Sequence, residues 1–181
     1  MRGLERVAIV LAAFALSIAV IAVLSGGLLA GRDSPGVSGP DTQLGAQFRD
    51  LGAAHLAPGA AHPRYDSDPP TSGAHVPVPV RHDDANLSDD QLLQALELGN
   101  VVVMYGTRRP PAGLRRLAAR VAAPFTPALA AAGQAVILAR RPGTSGVLGV
   151  AWTHLVDVRS PDDPQLRSFV LYWLGRGAPQ G

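Results

Sequence analysis

The chain has 181 residues, of which 47% are hydrophobic and 17% are charged, and its formal net charge at neutral pH is +2. This composition excludes a largely disordered chain, which needs low hydrophobicity and high charge. Cysteine is absent, which also excludes disulfides, thiolate zinc sites and thioredoxin-type redox chemistry.

The first predicted element is a membrane-spanning helix over residues 7–30. This stretch carries no charge, and it exceeds the roughly 20 apolar residues that a spanning helix needs. Two arginines precede the span and one follows it, so the positive-inside rule makes residues 1–6 a cytoplasmic tail. We expect a single-pass signal anchor in the lipid bilayer of a cytoplasmic membrane, with the C-terminal domain outside. The alternative is a cleavable signal peptide, whose apolar core is normally shorter, at about 7–15 residues.

After the span, the composition changes twice before regular structure is predicted. Residues 31–47 contain Ser-Pro-Gly and Ser-Gly-Pro and little that is apolar, which indicates a flexible linker. Residues 48–86 are rich in proline and glycine but also contain scattered apolar residues, which predicts a long ordered wrap with little helix or strand. Residues 48–181 are long enough for one hydrophobic core and are interpreted as an extracytoplasmic domain.

Three helices are predicted in the remainder. Ser88 followed by Gln91 forms a capping box, so a helix begins there and ends near Gly99. Residues 114–121 place leucine and alanine on one helical face and arginine on the other. Pro164 opens a last helix with apolar residues at helical spacing.

Short apolar runs rich in β-branched residues alternate with these helices. Residues 101–105 and 135–139 are predicted as buried strands. Residues 147–158 supply a third strand, with a break at Thr153-His154. The predicted fold class is therefore α/β (α+β): a small mixed sheet of about three strands, packed with about three helices and preceded by the wrap.

Charge is distributed unevenly along the predicted domain. Residues 48–97 contain eight acidic residues and three arginines, whereas residues 98–181 contain ten arginines and three acidic residues. We expect the two halves to pack together with partial charge complementarity. The alternative is a basic surface for an anionic partner or lipid headgroups. That surface would consist of Arg108, Arg109, Arg115, Arg116 and Arg120. A nucleic-acid partner is not expected, because no recognition motif is present.

Several phrases in the domain are specific when taken together. They are His-Leu-Ala-Pro-Gly at residues 55–59, the run from Tyr65 to His75 that ends in Pro-Pro-Thr-Ser-Gly-Ala-His, Leu-Glu-Leu-Gly at residues 96–99, and Ala-Trp at residues 151–152. This combination resembles a family of bacterial membrane-anchored domains catalogued as domain of unknown function 3105, over about residues 48–178.

The resemblance implies a histidine cluster but no reaction. The family pattern has histidines matching His55 and His75, and two more flanking a glutamate in the stretch His-x-Leu-Glu-His-Gly. In this chain Gln94 and Leu98 replace the two flanking histidines, while Glu97 remains. If the complete family set binds a metal, this member has lost two imidazole ligands.

His55, His75 and Glu97 are the candidate metal ligands. Two imidazoles and a carboxylate suit zinc, copper(II) or non-haem iron. The spacing of these residues matches no known metal motif, so the alternative is that the histidines make structural hydrogen bonds. A surface or structural role is predicted for His62, His82 and His154.

Other arrangements predict no chemistry. Ser72 and His75 lack the orienting acid and oxyanion hole that a hydrolase requires. Residues 143–146 form a glycine-containing turn without the lysine and helix of a phosphate-binding loop. The aspartates of the domain do not follow the spacing of a calcium loop. These are Asp83, Asp84, Asp89 and Asp90.

These observations together predict a membrane-anchored extracytoplasmic accessory or interaction domain. We expect no catalytic residue and no cofactor, and a role as a subunit or partner of a larger membrane complex. The alternative function is a histidine-based copper- or zinc-binding protein with a reduced ligand set.

Overall fold

The computed structural model describes residues 44–179. This part of the chain contains five strands and four helices. In chain order they are β1 (Ala46–Gln47), α1 (Asp89–Glu97), β2 (Val101–Tyr105), α2 (Ala112–Val121), α3 (Pro127–Ala131), β3 (Val136–Arg140), β4 (Val147–Ala151), β5 (His154–Val158) and α4 (Pro164–Trp173).

The strands form one mixed sheet in the order β1-β5-β4-β2-β3. The pair β2 and β3 is parallel, with Val101 opposite Val136, and the other neighbouring pairs are antiparallel. The interior strand β2, which lies between β4 and β3, is buried along its whole length, as its run of β-branched residues predicts. The predicted α+β class is confirmed.

Hydrophobic residues fill both faces of the sheet. Alternate residues of β2 and β3 point to opposite faces, so Val103 and Leu138 belong to one core cluster and Val102 and Ile137 to the other. Helices α2 and α4 contribute to the first cluster, while α1, α3 and Val80 of the wrap contribute to the second. Helix α1 therefore packs directly against a buried face of the sheet.

The structure corrects the predicted number of strands. The expected third strand is a hairpin of β4 and β5, because the chain turns at Trp152 and Thr153, and Thr153 adopts a φ of 58°. Strand β1 lies in residues that the sequence assigns to the linker, where Ala46 pairs with Leu155. A two-residue strand has no periodicity of its own, so only its partner defines it.

The number of helices is also larger than predicted. Helix α3 is a short additional element: Pro127 occupies its first turn, and the side chain of Thr126 accepts a hydrogen bond from the backbone N–H of Leu129. Proline is well tolerated at the first position of a helix, so Pro127 is compatible with the start of α3. The predicted capping box of α1 is present, with Ser88 and Gln91 bonding each other's backbone N–H groups.

Residues 48–86 follow an irregular path, as predicted for the wrap. Within them, two isolated bridges provide local pairing: His55 with His75, and Ala85 with Ala139 of β3. No helix among residues 44–179 is long and apolar enough to cross a membrane. The predicted span at residues 7–30 lies outside the described residues.

Candidate metal centre

The wrap brings His55 and His75 side by side. Two of its segments pair in parallel: the N–H of Leu56 donates to the carbonyl oxygen of His75 at 2.8 Å, and the N–H of His75 donates to that of Ala54 at 3.0 Å. The two imidazole rings meet edge to face, with centroids 5.4 Å apart. Backbone pairing therefore fixes the relative position of two residues that are far apart in the sequence.

Glu97 completes the cluster as the last residue of α1. Its Oε2 atom lies 3.0 Å from Nε2 of His55 and 3.1 Å from Nε2 of His75. One potential ligand atom from each of the three residues lies within 4.8 Å of the others. The structure thus brings together all three residues that the sequence proposes as metal ligands. A carboxylate at a helix C-terminus faces the negative end of the helix dipole, so a neighbouring positive charge would stabilise it.

His75 is completely buried, and its tautomer follows from its contacts. Its Nδ1 atom lies 3.0 Å from the carbonyl oxygen of Gly73. A carbonyl oxygen only accepts, so Nδ1 carries a proton, and in a neutral ring Nε2 presents a lone pair. Nε2 makes no hydrogen bond, even though the Glu97 carboxylate oxygen is 3.1 Å away. A histidine that donates its other N–H to a backbone carbonyl is held in the way metal-binding histidines are held.

Two further contacts fix the backbone on either side of His75. The hydroxyl of Tyr65 donates to the carbonyl oxygen of Ala74 at 2.9 Å, and the N–H of Val76 donates to Oδ1 of Asp90 at 2.7 Å. Burial raises the pKa of Tyr65, and the nearby acidic residues of α1 raise it further, so this hydroxyl remains a donor. The imidazole of His75 is therefore positioned before any ligand binds.

Asp90 connects the wrap to α1 a second time. Its carboxylate lies 2.8 Å from Nε2 of His62. Burial acts to raise the pKa of Asp90, but the N–H of Val76 and the His62 imidazole outweigh burial and lower this pKa. Asp90 is thus an ionised acceptor, and the structural role predicted for His62 agrees with this contact.

The C-terminal segment holds the backbone of Glu97. The N–H of Ala178 donates to the carbonyl oxygen of Glu97 at 2.9 Å. A Cβ atom on Gly177 would lie 2.0 Å from that oxygen, so only glycine allows this close approach. The C-terminal segment therefore fixes the end of α1, which carries the Glu97 carboxylate.

Gln94 also belongs to the cluster, one helical turn before Glu97. Its Nε2 atom lies 3.5 Å from Oε2 of Glu97, and its buried Oε1 atom makes no hydrogen bond. The other replaced position, Leu98, is among the exposed large hydrophobic residues. The sequence shows that Gln94 replaces an imidazole ligand, whereas the burial of its oxygen is visible only in the folded domain.

The remaining candidates have structural partners. The Ser72 hydroxyl donates to the carbonyl oxygen of Arg49 and accepts from the N–H of Leu51, so it is not directed at His75. His154 stacks on Trp173 with centroids 3.9 Å apart. Residues 143–146 lie in the connection between β3 and β4, as the predicted turn does.

The acidic and basic halves of the domain are joined by ion pairs. Arg115 pairs with Asp84, and Arg141 pairs with Asp68. These contacts agree with the expected charge complementarity between the halves. The ion pair with Arg115 also gives a structural role to Asp84, one of the aspartates whose spacing does not fit a calcium loop.

Comparison with known proteins gives a family but no activity. Neither the curated proteins nor the solved structures contain a match to this chain. A family model described as "Protein of unknown function (DUF3105)" matches residues 60–180, which include His75, Gln94 and Glu97. The match covers more than half of the chain and includes most of the described domain. The chain therefore belongs to the DUF3105 family of proteins of unknown function.

Proposed function

We propose that this protein binds a transition-metal ion through Nε2 of His55, Nε2 of His75 and a carboxylate oxygen of Glu97. One observation carries the proposal: the buried Nε2 of His75 faces a carboxylate oxygen at 3.1 Å without a hydrogen bond. When the ring is neutral and Nδ1 carries its proton, both atoms present lone pairs, and a cation between them would be coordinated by both.

The spacing of the ligand atoms supports the proposal. Tetrahedral ligands bound at zinc-like distances are separated by about 3.3 Å. The two nitrogen–oxygen separations at Glu97 are 3.0 Å and 3.1 Å, so small side-chain movements would admit an ion. Half of the His55 side chain is exposed, which leaves a path for the ion to enter.

The ligand chemistry favours zinc or copper(II). Imidazole nitrogen suits both ions, and three protein ligands leave a fourth position for water or another donor. The function proposed is metal binding, and the Ser72 hydroxyl takes no part in it because backbone groups engage this hydroxyl.

Metal stoichiometry tests the proposal directly. Full-length protein in mild detergent is incubated with Zn²⁺ or Cu²⁺ and desalted, and the bound metal is measured by elemental analysis. We expect about one ion per wild-type chain and little in His55→Ala or His75→Ala. His82→Ala is the matched control, because His82 is an exposed histidine outside the cluster. Folded wild-type protein that retains no metal, or equal loss in the His82 variant, would contradict the proposal.

We also propose that residues 7–30 anchor this domain outside the cytoplasmic membrane, where it serves as an accessory to a larger membrane complex. The uncharged span and the arginines before it support this placement. Because the chain lacks cysteine, a single Ser145→Cys substitution in the exposed connection between β3 and β4 gives a clean reporter. A membrane-impermeant maleimide should label this variant in intact cells. Labelling only after cell lysis would place the domain inside.

A further inference from the structure

We propose that the side-chain oxygen of Gln94 is a fourth ligand of the same ion, so that the site selects divalent cations over monovalent copper. This inference rests on the metal site proposed above. It adds an oxygen donor that is neither histidine nor carboxylate. The resulting set is two imidazole nitrogens, one carboxylate oxygen and one amide oxygen.

The buried polar atoms of the domain point to this ligand. Over residues 44–179, the buried side-chain nitrogens and oxygens without a hydrogen-bond partner are Nε2 of His75 and Oε1 of Gln94. Each belongs to a residue whose side chain lies within 3.5 Å of the same atom, Oε2 of Glu97. An unsatisfied buried polar group costs about 1–3 kcal/mol. Both residues therefore border the same carboxylate oxygen, the position next to which a shared cation would lie.

Helix geometry places Gln94 correctly for this role. Gln94 and Glu97 are three residues apart in α1, so their side chains share one face of the helix. The amide nitrogen of Gln94 is 3.5 Å from Oε2 of Glu97. A half-turn about the last side-chain bond exchanges the amide nitrogen and oxygen, which are nearly identical in size. The rotation replaces the long hydrogen bond from the amide nitrogen to Glu97 by an oxygen that faces the carboxylate, and a cation can lie between these two oxygens.

The donor set determines the class of ion. Monovalent copper prefers thiolate and thioether sulfur, and the four proposed donors include no sulfur. Nitrogen and oxygen donors suit copper(II), nickel(II) and zinc, with copper(II) bound more tightly than zinc in the general affinity series. We therefore expect the site to hold Cu²⁺ most tightly, Zn²⁺ less tightly, and Cu⁺ weakly.

Two substitutions of Gln94 test the inference in the full-length protein. Gln94→Leu removes the donor while largely keeping the volume, and we expect Cu²⁺ and Zn²⁺ affinities to fall about tenfold or more. The metal-free Leu variant should unfold at the same or a higher temperature than wild type, because an unsatisfied polar group has been removed. Gln94→His should add a third imidazole nitrogen to the electron spin-echo spectrum of bound Cu²⁺. Gln134→Leu, which changes an exposed glutamine outside the site, is the control.

The outcomes separate this inference from the proposed function. If wild type binds metal but Gln94→Leu leaves both affinity and spectrum unchanged, the Gln94 ligand is wrong and the three-residue site stands. If wild type binds no metal, both proposals fail. Tighter binding of Cu⁺ than of Cu²⁺ by wild type would overturn the selectivity.

Discussion

The Nε2 atom of His75 faces Oε2 of Glu97 across 3.1 Å, although neither atom carries a proton when the ring is neutral. The backbone holds both residues in this position: Gly73 fixes the ring of His75, and Ala178 fixes the carbonyl oxygen of Glu97. With the ring neutral, two lone pairs face each other without a hydrogen bond, and a bound cation would be coordinated by both atoms. A functional site that leaves a buried polar atom without a hydrogen bond is expected to gain stability when that atom is given a partner.

Substitution of Glu97 by glutamine should separate stability from metal binding. An amide at this position can donate a hydrogen bond to Nε2 of His75, so we expect the metal-free Glu97→Gln protein to be at least as stable as wild type. Metal affinity should fall about tenfold or more, because the anionic ligand is lost. Urea unfolding and metal titration measure the two effects. A large loss of stability without metal would instead show that Glu97 serves mainly as an ion-pair partner.

Metal binding should stabilise the wrap more than the sheet. The ion would join the paired segments that carry His55 and His75 to the end of α1, whereas β2 is already packed on both faces. At a free metal concentration 100-fold above the dissociation constant, the added stability is about 2.7 kcal/mol. Hydrogen exchange should slow at the amides of Leu56 and His75 more than at Val103, and a chelator should reverse the change. Equal slowing at all three positions would contradict a local bridge.

Local signals in the sequence predict most of the regular structure. The capping box at Ser88 and the apolar run of residues 101–105 each depend on neighbours within a few positions, and the structure confirms both elements. Strand β1 depends instead on pairing with Leu155, more than one hundred residues away. No short-range pattern encodes such a contact.

The candidate site shows the same division. Residue type and the family resemblance identified His55, His75 and Glu97 as donors, but their proximity results from a parallel pairing inside an irregular segment. The contribution of Gln94 depends on whether its oxygen is buried, which the sequence does not reveal. Donor identity is thus a property of the sequence, while donor geometry is a property of long-range packing.

Asp83 should make stability depend on pH. Burial raises the pKa of Asp83, the Asp84 carboxylate raises it further, and the N–H of Leu138, which donates to Oδ1 of Asp83 at 2.7 Å, opposes the shift. Because the folded-state pKa lies above the unfolded value, the contribution of Asp83 to stability decreases as pH rises from about 4 through the folded pKa. Asp83→Asn keeps an acceptor oxygen without the charge.

The two variants of Asp83 should therefore differ in the sign and in the pH dependence of their change in stability. The difference in stability between Asp83→Asn and wild type should favour the variant more at pH 7 than at pH 3. Asp83→Ala should lose about 1–3 kcal/mol, because the N–H of Leu138 loses its acceptor. Chemical unfolding at both pH values provides the comparison. A neutral-pH loss of stability in Asp83→Asn as large as that in Asp83→Ala would show that the charge itself is favourable.

Gly177 should influence the metal centre through the backbone of Glu97. A Cβ atom at Gly177 would lie 2.0 Å from the Glu97 carbonyl oxygen, so Gly177→Ala must push the end of α1 away from the C-terminal segment. We expect a stability loss of about 2–4 kcal/mol and weaker metal binding, because the carboxylate moves with the helix end. Gly143→Ala is the matched control: its Cβ meets open space at a φ of +92°, so it should cost only about 1–2 kcal/mol of backbone strain and leave affinity unchanged. If folded Gly177→Ala protein bound Zn²⁺ as tightly as the Gly143 variant, the position of Glu97 would not depend on the C-terminal segment.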